Sequence, residues 1–115
     1  MRVFKNHVLI DIDGNPLVDQ SKRTLTLCNV LVNCAMTDAA PNMPRFTARQ
    51  VADRAVLSVM LNKVALEQEF QLSDPEVRHL IEDCCRLYPP SVTYRVLEAL
   101  APEMFKKEDA SKKAN

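Results

Sequence analysis

Glycine is nearly absent. Gly14 is the only one in 115 residues. A single glycine cannot build a Walker A loop or a GxGxxG turn, so the glycine-rich phosphate cradles are excluded together. Tryptophan is missing and aromatics make up 5% of the chain, which leaves little material for stacking nucleobases. Charge of one sign is also lacking: fifteen Lys and Arg balance fifteen Asp and Glu. Bulk attraction to nucleic acid or to an anionic membrane is therefore not expected, although a local basic patch is compatible with neutrality. No apolar run approaches the roughly 20 residues that span a bilayer. Residues 1–7 are not followed by the apolar stretch of about 7–15 residues that marks a signal peptide. Four cysteines, Cys28, Cys34, Cys84 and Cys85, stand without secretory features, which predicts free thiols in a reducing compartment.

The chain does contain the material for a core. It is 47% hydrophobic and 26% charged, close to an ordinary globular composition, and its length suits one domain. Residues 1–101 are expected to form that domain and 102–115 a charged, flexible tail. No internal repeat is apparent. Over residues 3–20 the pattern reads as a β-hairpin. Val8, Ile10 and Ile12 alternate with Leu9, Asp11 and Asp13, Asp13-Gly14 suits a type I′ turn, and Leu17-Val18 begins the return strand. Helical stripes follow. Thr26 is a candidate N-cap for Leu27, Val30, Leu31 and Cys34. The loop 37–44 contains Pro41 and Pro44. Thr47 with Gln50 and Ser73 with Glu76 are capping boxes, with Phe46/Val51 and Leu72/Val77 as hydrophobic staples. The segment 55–61 is apolar almost all round and is expected to be a central, buried helix. A stripe of Val77, Leu80, Ile81, Cys84 and Tyr88 ends at Pro89-Pro90, and Ser91 is expected to cap the last helix. The fold class is α+β: an N-terminal β-hairpin packed on a bundle of about four short helices.

Few constellations suggest chemistry. The run Val8-Leu9-Ile10-Asp11-Ile12-Asp13-Gly14-Asn15 resembles the first motif of the haloacid dehalogenase superfamily. That resemblance implies Asp11 as phosphoryl acceptor and Asp13 as general acid/base. Asn15-Pro16 replaces the Thr or Val of that motif, and the helical remainder supplies no parallel sheet, so a hairpin with an Asp-Gly turn is the simpler reading. An EF-hand fails on the offsets of its Gly and Glu. Zinc is not expected either. Cys28 and Cys34 lie roughly opposite on a helix, Cys84 and Cys85 diverge by about 100°, and His7 and His79 are the only imidazoles. Cys34 and Cys84 sit on apolar stripes, where a thiol behaves as a small hydrophobe; Cys28 and Cys85 remain as candidates for an exposed thiol. His79 reads as a solvated helix residue. Arg45, Arg49, Lys63, Arg78, Arg86 and Arg95 are scattered among acids.

The order of segments resembles a known group. DGNPL at 13–17, Leu25-Thr26-Leu27-Cys28-Asn29-Val30-Leu31-Val32-Asn33, Leu72-Ser73-Asp74-Pro75-Glu76-Val77 and Tyr88-Pro89-Pro90 are similar to segments of small uncharacterised proteins encoded by tailed bacteriophages and prophages. That resemblance spans about residues 4–100. It implies a host-cytoplasmic setting and a non-catalytic accessory role, and it carries no catalytic residues.

The expected function is thus protein–protein interaction, in virion assembly or host modulation, without enzymatic activity, cofactor, metal or small-molecule substrate. The expected partner is another protein or a second copy in a homodimer, with neither membrane nor nucleic acid involved. The expected surface is the apolar strand face Val8, Ile10 and Ile12, at a strand edge left free to recruit another strand. The alternatives are a transcription or nucleic-acid regulator and, further off, a dehalogenase-like phosphatase using Asp11.

Overall fold

The computed structural model describes residues 1–104. The fold is α+β: among the described residues, a two-stranded antiparallel ribbon and four helices. The elements are β1 (Arg2–Lys5), α1 (Leu27–Ala35), α2 (Ala48–Asn62), β2 (Glu69–Leu72), α3 (Asp74–Leu87) and α4 (Pro90–Leu100). The tail expected over 102–115 lies, from Phe105 onward, outside the described residues.

The regular ladder is not the local hairpin of residues 3–20. β1 pairs with β2 from the middle of the chain, in register Arg2↔Leu72 to Lys5↔Glu69. Phe4 lies opposite Phe70 with ring centroids 5.8 Å apart, and such a cross-strand aromatic pair contributes beyond its buried area. β2 offers only Phe70 and Leu72 to the core, too short an alternation to stand out in the sequence.

Residues 8–26 fold into two successive tight hairpins instead. They are joined by single bridges Ile10↔Pro16, Val18↔Thr24 and Val8↔Thr26. Leu9, Leu17 and Leu25 form a closed ring of main-chain hydrogen bonds. The Leu17 amide donates to Leu9 O (2.9 Å), Leu25 to Leu17 O (2.8 Å) and Leu9 to Leu25 O (3.0 Å). Both turns are built alike. Asp11 Oδ1 accepts from the amides of Asp13 and Asn15, and Asp19 Oδ1 from those of Ser21 and Arg23. The chain therefore does contain a repeat, of leucines and aspartates eight residues apart. It escapes notice because the residues between them differ. Only one residue per turn has positive φ, Gly14 at 87° and Lys22 at 63°. Each turn is thus a three-residue loop closed by a left-handed residue, not the expected type I′ turn.

This equivalence predicts opposite signs for two substitutions. A side chain in left-handed backbone is strained by roughly 1 kcal/mol. Gly14→Ala is expected to lower the unfolding free energy by about 1 kcal/mol, and Lys22→Gly to raise it by up to about that amount. Urea unfolding of the two variants beside the parent checks both; equal signs would refute the equivalence.

The apolar face of the first hairpin is the reverse of the expected one. Leu9 points inward at 1% exposure, whereas Ile10 and Ile12 are 39% and 94% exposed. The single-residue alternation of a strand leaves one choice of face, and the leucine ring makes it.

Helix starts follow the sequence closely. Thr26 Oγ1 accepts from the Asn29 amide, and both capping boxes are complete. α4 differs: it begins at Pro90 after Pro89, without a side-chain cap, so Ser91 lies inside the helix. The central helix is α1, with Leu27, Cys28, Val30, Leu31, Cys34 and Ala35 all buried. α2, expected to be central, buries only Leu57, Ser58 and Leu61. The physical reason is charge. Leu27–Ala35 contains none, whereas Ala48–Asn62 carries Arg49, Asp53 and Arg54, each costly to bury unpaired.

Candidate interaction surface

α2 is held to the body along one side. Leu57 and Leu61 enter the core. Between them and the N-terminus, Arg54 is enclosed on several sides. Its Nη1 donates to Asp83 Oδ2 on α3 at 2.9 Å and reaches the carbonyls of Cys34 and Ala35 at 3.3 and 3.5 Å. A cation at these last carbonyls of α1 also opposes the negative end of its dipole. The centre of the Phe46 ring lies 4.1 Å from the guanidinium carbon, so Phe46 stacks on Arg54 while Val51, its expected staple partner, is 54% exposed. Arg86 approaches the other Asp83 oxygen at 3.6 Å and donates to Asp38 O at 2.8 Å, which ties down the loop 37–44. Arg54, Asp83 and buried Asn6 carry much of this architecture, and sequence reasoning missed all three. The sidedness of Arg54 and Asp83 on their helices was readable; the partners of all three, tens of residues away, were not.

The opposite side of α2 faces solvent and is also apolar. At about 100° per residue, Ala52, Ala55, Val56, Val59 and Met60 fall on the half of the helix away from Arg54, Leu57 and Leu61, with Val51 at its edge. Val56 is 70%, Val59 55% and Met60 39% exposed. Ala48 extends the stripe toward the N-terminus, and Met43, 61% exposed, stands in the preceding loop. Arg49, about 20° from Val56 around the helix, interrupts this stripe near its start and pairs with Asp53 at 3.4 Å. Val56 and Met60 form one wall of a groove of about 530 Å³ between α2 and α3, with Pro75, His79 and Leu80 on the other side and the Arg54–Asp83 pair at one end. His79 is exposed, as its helix position suggested.

On the strand face Val8, Ile10 and Ile12, the Ile10 and Ile12 side chains stand in solvent, and Arg95 takes up part of the edge beside the turn. The carbonyls of His7 and Leu9 accept from Leu27 and Leu17. Those of Ile10 and Asp11 accept from Arg95 Nε and Nη2 at 2.9 and 3.1 Å.

The candidate chemical groups are placed as follows. Asp11 Oδ1 is engaged by two amides of its own turn, and Asp13 is exposed. Cys34 and Cys84 meet across α1 and α3. Their mutual hydrogen bond and burial hold the Cys34 thiol above its ordinary range. In Cys84 the same bond favours the thiolate against burial. Cys28 is buried, which pushes its thiol up to about 12, so Cys85 is the exposed cysteine. Among the described residues no three His, Cys, Asp or Glu side chains are gathered to hold a metal ion. Nor is any helix among them long and apolar enough to cross a membrane. Comparison with protein-family models, with curated proteins and with solved structures returned no match.

Proposed function

We propose that this chain is a small, non-catalytic accessory protein of the phage and prophage type, working in the bacterial cytoplasm by binding protein through the outer face of α2. The observation that carries this reading is a helix apolar on both sides and anchored on only one. An apolar stripe in solvent, whose cation Arg49 is already paired with Asp53, is suited to another apolar surface. The order of the DGNPL, LTLxxVLVN, LSxxEV and YPP segments supports the phage-type setting. The nucleic-acid reading has less support. Arg54 and Arg95 are turned inward onto carboxylates and carbonyls, and the α2 stripe presents no row of cations to phosphates. The phosphatase reading would require Asp11 to leave the turn that its carboxylate organises.

Site-specific photocrosslinking in bacteria producing the chain tests this. A photoreactive residue at Val56 is expected to give protease-sensitive adducts, and one at exposed Glu82 on α3 to give none above background. No adduct at position 56, or one removed by nuclease, would refute the reading. Adducts at Ile12 alone would move the surface to the first hairpin.

A further inference from the structure

Three of the four cysteines are buried, and the fold brings two of those three together. Cys34 stands in the last turn of α1 and Cys84 in the last turn of α3. Both are 0% exposed, and their thiols are hydrogen-bonded to each other. The junction is pinned from two further helices. Arg54 Nη1 of α2 spans it, 3.3 Å from Cys34 O and 2.9 Å from Oδ2 of Asp83, the residue before Cys84. Thr93 Oγ1 of α4 lies 3.2 Å from Cys84 O and 3.8 Å from the Cys84 sulfur. Two other pairings are closed by helix geometry. Cys28 and Cys34 are separated by about 9 Å of rise along α1, beyond the roughly 7 Å between Cα atoms that a disulfide spans. Cys85 follows Cys84 directly and diverges from it by about 100°.

A core thiol reacts only with what reaches it. The groove between α2 and α3 is lined by Ala35 and Asp83, each the chain neighbour of one of these cysteines. An oxidant not much larger than water, such as hydrogen peroxide, can pass from that groove to the sulfurs on a small local opening. A bulky disulfide such as that of glutathione meets two sulfurs with no exposed surface.

We infer that Cys34 and Cys84 are a peroxide-sensitive pair that closes a disulfide between α1 and α3 in the folded chain. Cys84 reacts first, because its hydrogen bond with Cys34 favours the thiolate, and the thiolate is the nucleophile. Its sulfur attacks one oxygen of hydrogen peroxide. An S–O bond forms, the O–O bond breaks, and the leaving hydroxide takes the proton shed by Cys84 and becomes water. The Cys34 sulfur then attacks the Cys84 sulfenic acid. The S–S bond forms, the S–O bond breaks, and the second hydroxide leaves as water with the Cys34 proton. Two thiols are oxidised to one disulfide, and one peroxide is reduced to two waters. In a reducing compartment the bond is transient, returned to thiols by exchange. While it lasts it fastens the junction at which Arg54 holds α2. The inference is independent of what the outer face of α2 binds.

Treatment of the full, folded chain with hydrogen peroxide, followed by alkylation of the remaining thiols and peptide mapping, tests it. The expected product is a linked peptide pair containing Cys34 and Cys84. Tm is expected to rise by at least about 5 °C, because the bond closes a loop of about fifty residues in the unfolded chain, and a reductant should restore the starting value. Cys85→Ser, at the exposed cysteine, is expected to form the same bond as readily as the parent. Cys34→Ala removes the resolving thiol and is expected to stop at a Cys84 sulfenic acid that dimedone labels. If that variant does not fold, the linkage mapped in the parent still decides. Four results would each overturn the inference. They are a bond from Cys84 to Cys85, a bond involving Cys28, loss of the Cys34–Cys84 bond in Cys85→Ser, and a parent in which Cys85 oxidises while Cys34 and Cys84 stay free. A Cys34–Cys84 bond that forms only in urea would overturn it as well, since the pairing would then owe nothing to the fold.

Discussion

Asn6→Ala is expected to lower the unfolding free energy by about 3 kcal/mol, because it strands the buried Cys28 amide and the Val64 carbonyl at once. Asn6 is 3% exposed. Its Oδ1 accepts from the Cys28 amide in the first turn of α1 at 3.0 Å. Its Nδ2 donates to the carbonyls of Val64 and Ala65, at 3.2 and 3.4 Å, in the segment between α2 and β2. Its main chain adds hydrogen bonds to Gln68 O and from the Glu67 amide. One side chain thus joins β1, the central helix and the approach to β2. Alanine leaves the Cys28 amide without its partner where water does not replace it. For a domain of this size, 3 kcal/mol is a fall in Tm of roughly 12–24 °C. Asn6→Asp keeps the acceptor and puts a carboxylate against two carbonyls. Burial raises the folded-state pKa of that variant's carboxyl, so stability is present below its unfolded pKa of about 4 and lost as pH rises through the folded value. The deficit against the parent should therefore shrink between pH 7 and pH 4. A deficit independent of pH would show that the introduced carboxylate is hydrated and that Asn6 is not the sealed junction described.

The second large effect concerns Asp83. Asp83→Ala is expected to lower stability by about 3 kcal/mol, because it leaves Arg54 partly buried without its carboxylate. The side chains of Arg54 and Asp83 are 19% and 12% exposed, so this is not a solvated pair that contributes little. The loss should concentrate on α2, whose other anchors in the core are Leu57 and Leu61. Hydrogen exchange along Ala48–Asn62 should quicken more than along Leu27–Ala35. The double variant Arg54→Met/Asp83→Leu removes both charges and keeps the volume, and is expected to recover most of the loss. If the two single losses instead add in the double variant, the pair is not the coupled unit proposed.

Local structure was legible from the residues. The hydroxyl-to-amide caps at Thr26, Thr47 and Ser73 act within four residues, and the stripes of α1, α3 and α4 depend on spacing alone; these helices lie where their patterns put them. The burial of Cys34 and Cys84 followed from the same stripes. Even α2 was correctly started by its Thr47–Gln50 box. Where α2 sits was another matter. Its sequence is apolar on nearly every face, and such a helix can be a core or an interface. The choice falls to whichever helix can be surrounded without burying a charge, and α1 fits that condition.

Tertiary structure alone decided the rest. The partner of β1 is a four-residue strand some seventy residues away, and no local signal specifies a pairing at that distance. The face of the first hairpin turned on Leu9, Leu17 and Leu25 closing a ring, which needs all three positions to be known together. Asp11 looked like a catalytic motif because a turn-forming and a phosphoryl-accepting aspartate share one sequence neighbourhood; where its oxygen accepts hydrogen bonds distinguishes them. Residue type and spacing determine which helices form and which face of each is apolar. Which of those faces is covered depends on contacts between distant segments, and in α2 those contacts leave one apolar face open.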